Sequence, residues 1–206
     1  MFIFDFDDTL FDTQAFKRDR ILALREVGVS QVDYDESYAR AYTEGKRTCY
    51  SHERHVDVLV DIGYDRKTIE KALESTMIQI KKYLFPDAVH MLTECKCTGR
   101  KMVLLSLGGV DFQKIKVLGS GIEHFFDEIY MTETSKLEIV KQIVSAKQDE
   151  EIYLLNDKIK ETQDIVDTFP QVQAVLKMSE CFAQEAYHQS GLPCIKSLND
   201  YLSYIK

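Results

Sequence analysis

Two carboxylates stand two residues apart near the start of the chain, in Asp5-Phe6-Asp7-Asp8-Thr9-Leu10. Carboxylates this close repel each other and invite a hard cation with oxygen ligands, most naturally Mg2+. Residues 1–4 before them are apolar and are stopped by Asp, the pattern of a short, fully buried strand. In an open parallel sheet ligands bind at the carboxyl ends of the strands, so Asp5 and Asp7 are expected where chemistry takes place. A second apolar run, residues 102–105, ends in Ser106-Leu107-Gly108-Gly109. Small residues there let the backbone approach a ligand closely, and N–H groups at the start of a following helix favour an anion. Taken alone, each run is ordinary, because acidic and small residues end many strands.

The elements that must position these groups follow from periodicity and punctuation. Residues 13–28 read as a helix with Thr13 as N-cap and Gly28 as its stop. From about residue 33 to 83 the pattern stays helical, with breaks near Gly45, Gly63 and Tyr64-Asp65, enough for three or four helices. Pro86 opens an amphipathic helix that ends at Gly99, and residues 110–120 form another. Lys136 precedes the helical run 137–146, and residues 152–155 form a buried strand followed by Asn156, Asp157 and Glu161. A strand over 172–178, a short helix, an edge strand over 193–196 and a terminal helix complete the chain.

At 206 residues the chain suits one core with an inserted subdomain. Its 45% hydrophobic and 29% charged content is that of an ordinary globular protein. A net charge of -8 argues against nucleic acid or an anionic membrane as partner, and no apolar run approaches the roughly 18 residues that span a bilayer. The five cysteines, scattered and odd in number, and the absence of a basic, apolar leader point to reduced thiols and a cytoplasmic location. A monomer or weak homodimer is expected.

The string Asp5-Phe6-Asp7-Asp8-Thr9-Leu10 resembles the first motif of the haloacid dehalogenase (HAD) superfamily of phosphohydrolases, in which Gly is frequent where this chain has Asp8. The resemblance implies that Asp5 is the nucleophile and Asp7 the acid/base. It gives Ser106 the role of phosphate binder, with backbone N–H groups near Leu107 and Gly108. Lys136 matches the lysine that neutralises nucleophile and phosphate. Asp157 matches the metal-binding acid, which with Asp5 and the carbonyl of Asp7 would hold Mg2+. Asn156 stands where Gly is frequent, and Glu161 stands where Asp is usual, a place from which it would act through water or orient Lys136. The implied fold is an α/β, Rossmann-like three-layer α/β/α core with a parallel sheet, from residues 1–13 and 84–206. Residues 14–83 would be a small α-helical cap.

The implied activity is a Mg2+-dependent phosphatase that hydrolyses a small phosphomonoester through an aspartyl-phosphate. Arg47, His52, Arg54 and His55 of a basic, aromatic stretch are candidates for meeting the leaving group. A phosphomutase or phosphotransferase on the same fold is the alternative, and a non-catalytic binding protein is a further one. Asp7 disfavours a dehalogenase, since dehalogenases lack the second Asp of the motif.

Overall fold

The computed structural model describes residues 1–43, 49–145 and 151–205. In chain order the elements are β1 (Phe2–Phe4), α1 (Thr13–Glu26), α2 (Gln31–Arg40), β2 (Tyr42–Thr43), β3 (Cys49–Tyr50), α3 (His52–Ile62) and α4 (Arg66–Ile78). They continue with α5 (Ala88–Cys97), β4 (Met102–Leu107), α6 (Val110–Ser120), β5 (Glu128–Thr132), α7 (Lys136–Ser145) and β6 (Ile152–Asn156). The chain closes with α8 (Ile159–Thr168), β7 (Val172–Lys177), α9 (Gln184–Gln189) and β8 (Cys194–Ile195), then a 3-10 turn over Leu198–Ser203.

Six strands form one parallel sheet in the order β5-β4-β1-β6-β7-β8, with β1 between β4 and β6. Every residue of β1 is buried, which requires that both faces of the sheet be covered. The two-residue alternation divides it between two cores. Phe2 and Phe4 pack with Met91 and Leu92 of α5, Val117 of α6 and Tyr201. Ile3, on the opposite face, packs with Val140 and Ile143 of α7 and Ile165 of α8. The strand order reverses across β1, and that switch point brings the carboxyl ends of β1, β4 and β6 together.

A third apolar cluster belongs to α1–α4, built from Leu24, Val29, Tyr34, Val56, Leu59, Ile69 and Leu73. The helix α1 serves both halves, since Phe16, two turns before Leu24, packs in the core of the sheet. Its N-cap is Asp12, whose carboxylate accepts from the Ala15 N–H at 2.7 Å, and not Thr13 as the sequence reading expects. The Thr13 hydroxyl is spent instead on Asp7. A short hairpin, β2 with β3, also interrupts the helical stretch that the sequence reading expects there. None of the five cysteines is in a disulfide. Among the described residues no helix is long and apolar enough to cross a membrane.

Candidate active site

Asp5 follows β1 directly and is 3% exposed. Its Oδ1 lies 2.7 Å from Lys136 Nζ and its Oδ2 accepts from the Thr9 hydroxyl at 3.1 Å. Lys136, the first residue of α7, also reaches Glu161 at 2.9 Å and donates to Asn156 Oδ1 at 3.1 Å. Burial alone would push the lysine down, but Asp5 and Glu161 outweigh it and raise Lys136 above its ordinary range. Glu161 therefore holds Lys136 directly, and Asn156 Nδ2 holds Glu161 at 3.1 Å.

Asp7 has a different set of partners. Its carboxylate accepts from Lys116 and Gln113 of α6 and, at 2.6 Å, from Thr13. Burial would raise the Asp7 carboxyl, yet the charge and hydrogen bond of Lys116, with Thr13 and Gln113, hold it down at about 2. Asp8 takes a left-handed backbone, φ 57°, a conformation Asp tolerates better than most side chains and one that glycine adopts freely. This is a physical reason why either residue serves at that point of the motif. Gly108 leaves room for the Gln113 amide that serves Asp7, since a Cβ there would overlap Gln113 Nε2.

The Asp8, Asp157 and Cys181 side chains can bring ligand atoms within 4.8 Å of one another. Asp157 is 1% exposed; its Oδ2 accepts from Ser179 at 3.3 Å, while Oδ1 is buried without a partner. Burial and the neighbouring Asp5 both raise Asp157, with Lys136 only partly offsetting them. An orphaned carboxylate oxygen among crowded acids fits a hard divalent cation such as Mg2+. The sequence reading places Asp8 in the first motif without a metal role and gives Cys181 none, because Cys181 arrives from beyond β7.

The phosphate-binding expectations fare unevenly. Leu107, Gly108 and Gly109 line the same cavity as Asp5 and Asp7. The Ser106 hydroxyl is buried and has no partner. The Gly108 N–H, expected to face phosphate, instead donates to the Thr132 carbonyl at 2.9 Å, because β4 stays paired with β5 to its end.

That cavity, about 370 Å3, runs from Asp5 and Asp7 along α1 to Arg20 and the tyrosines of the helical half. Of the candidates read as leaving-group contacts, the described ones, His52, Arg54 and His55, are not among its lining residues, although Cys49 and Tyr50 beside them are. Arg54 points to solvent, and Arg47 lies outside the described residues. His55 is fully buried, with Nε2 3.0 Å from the Ser37 hydroxyl and Nδ1 2.9 Å from the Tyr50 hydroxyl. His52 stands behind Arg20 at 3.2 Å. The basic residues that do line the cavity are Lys17, Arg20, Lys116 and Lys158. Arg20 and Lys116 carried a signal in the sequence. Each interrupts the buried stripe of an amphipathic helix, Arg20 between Phe16 and Leu24 and Lys116 beside Val117.

A curated relative, the glyceraldehyde 3-phosphate phosphatase of Methanopyrus kandleri, is 29% identical over 143 residues, 64% of this chain. The match spans only 60% of that relative's length. A structure assigned to the haloacid dehalogenase-like hydrolases, from Burkholderia xenovorans LB400, superposes with a TM-score of 0.73 at 20% identity, covering 98% of this chain and 94% of the other. A HAD-hydrolase type structure from Bacillus subtilis, bound to magnesium, gives 0.61 at 16% identity, covering 100% and 97%. The profile of the family matches residues 1–156, from the first strand to the end of β6. The chain thus belongs to the haloacid dehalogenase-like hydrolase family.

Proposed function

We propose that the protein is a Mg2+-dependent phosphatase that hydrolyses a small phosphomonoester through an aspartyl-phosphate on Asp5. The observation that carries this reading is the environment of Asp5. Its carboxylate is buried, held by Lys136 and Thr9, and opens on a cavity of about 370 Å3. That volume is at the small end for ligand pockets and suits a short phosphate ester.

In the first step an Asp5 oxygen attacks phosphorus, the bond to the leaving oxygen breaks, and Asp7 gives that oxygen a proton. In the second, Asp7 takes a proton from water, the hydroxide attacks phosphorus, and phosphate leaves as Asp5 is restored. Asp7 held ionised by Lys116 is in the form the second step needs. An arriving phosphate draws on the same lysine and so raises the proton affinity of Asp7. Lys136 offsets the repulsion between nucleophile and phosphate, and the Ser106 hydroxyl is free to donate to a phosphate oxygen. Asp5, Asp8 and Asp157, with the carbonyl of Asp7, would hold Mg2+, which supplies positive charge beside the phosphate oxygens when bound.

Residues 14–83 act in this reading as a cap over the cavity. The tyrosine end of the cap meets the core at Gly109, where a Cβ would stand 2.7 Å from the Tyr50 carbonyl. The Methanopyrus relative makes glyceraldehyde 3-phosphate the first substrate to try. Phosphate release from a panel of three-carbon phosphates is expected to need Mg2+, to stop with EDTA and to be lost in Asp5→Asn. Release that survives both EDTA and the substitution would sink the reading.

A further inference from the structure

Arg20 lies at the cap end of the cavity and is 4% exposed. Its guanidinium carbon sits 5.4 to 5.6 Å from the ring centroids of Phe16, Tyr50 and Phe112. Behind it runs a hydrogen-bond chain whose direction is fixed. Arg20 can only donate, so Nη2 gives to the Tyr50 hydroxyl and to His52 Nδ1. Tyr50 passes its own proton toward His55 Nδ1, His55 Nε2–H faces Ser37, and the Ser37 hydroxyl ends on the Tyr34 carbonyl. Burial and the charge of Arg20 push His52 down to about 4 and His55 to about 3, so both rings are neutral acceptors at Nδ1.

Two polar groups, the Tyr50 hydroxyl and His52 Nδ1, thus hold the guanidinium in place, and neither carries negative charge. Nη1 is buried without a partner, and no carboxylate among the described residues pairs with Arg20. An unneutralised buried cation is costly to keep, and a ligand of opposite charge repays that cost. The position also fits a ligand that spans the cavity. Thr13, whose hydroxyl meets Asp7, lies two turns before Arg20 on the same face of α1, about 10 Å along the axis, and helical side chains lean back toward the N-terminus.

We propose that Arg20 is a specificity-determining residue that recognises a second compact anionic group, a carboxylate or a second phosphate, at the far end of the phosphomonoester. This deepens the phosphatase reading and rests on it. The neutral hydrogen-bond chain through Tyr50 and His55 positions the guanidinium and leaves its charge for the substrate.

The test compares kcat/KM, with Mg2+, for 3-phosphoglycerate, glycerol 3-phosphate and a three-carbon bisphosphate in wild type, Arg20→Lys and Arg20→Met. A preference for an anionic member over glycerol 3-phosphate of about tenfold or more is expected in the wild type, corresponding to one paired charge. It should collapse in Arg20→Met and survive in part in Arg20→Lys, and the favoured member tells carboxylate from phosphate. No preference in the wild type overturns the proposal whether or not the variants fold, and so does a preference that Arg20→Met leaves intact. Either of those results, with phosphate still released, leaves the phosphatase reading standing. Release from glyceraldehyde 3-phosphate but from none of the three also overturns the proposal and leaves the phosphatase reading standing, and release from none of the four removes both.

Discussion

Lys136, at the start of α7, and Arg20, midway along α1, are almost equally buried, yet among the described residues only Lys136 has carboxylates within reach, Asp5 at 2.7 Å and Glu161 at 2.9 Å. Arg20 is surrounded by aromatic rings, a tyrosine hydroxyl and a neutral histidine. The first cation is consumed inside the protein, where it holds the nucleophile and its supporting acid together. The second is anchored without being neutralised. A buried charge that the fold itself satisfies is therefore tied to the integrity of the site, and one left unsatisfied is available to whatever enters the cavity.

The sharpest way to break this comparison is Lys136→Met. It takes from buried Asp5 and half-buried Glu161 the lysine they share, and the expected cost is about 3–5 kcal/mol together with loss of phosphate release. Urea unfolding and a phosphate assay check both, and a stable, active variant would show that Lys136 is not the neutralising group. Lys116→Met should cost somewhat less, about 2–3 kcal/mol near neutral pH, because Thr13 and Gln113 still serve Asp7. Its sign with pH follows from Asp7, held at about 2 against an ordinary 3.8. A depressed carboxyl contributes stability that is full above its ordinary value and lost as pH falls toward about 2. The gap between wild type and Lys116→Met should accordingly narrow between about pH 4 and about pH 2.

Smaller effects belong to the cap. Tyr50→Phe removes the acceptor for Arg20 and the donor for His55, with an expected loss of about 1–3 kcal/mol measured by chemical unfolding. Asp12→Ala removes the cap of the helix that carries both Thr13 and Arg20, and about 1 kcal/mol in the same measurement is expected.

The legible part of this molecule was what one segment encodes by itself. The strand before Asp5, the Ser-x-Gly-Gly turn after β4, Lys136 at a helix start and Asp157 after β6 could be read from apolar runs and their punctuation, and the sheet brings their ends together. What could not be read depends on segments meeting in space. Lys116 and Gln113 reach Asp7 because α6 packs against the first motif, and Cys181 nears Asp8 only after the chain has passed β7. The described basic candidates at the start of α3 misled for the same reason. Composition marked Arg54 and His55, but helix phase sends Arg54 outward and turns His55 into the cap interior, while Arg20 occupies the wall.

The central claim is that Asp5 receives the phosphoryl group. The most direct measurement is to acid-quench the enzyme during turnover of glyceraldehyde 3-phosphate with Mg2+, reduce with borohydride, and map the product by mass spectrometry. An aspartyl-phosphate on Asp5 is reduced to homoserine, so homoserine at position 5, absent without substrate, is the expected result. Active turnover that leaves position 5 unmodified, or marks another residue, would contradict the account.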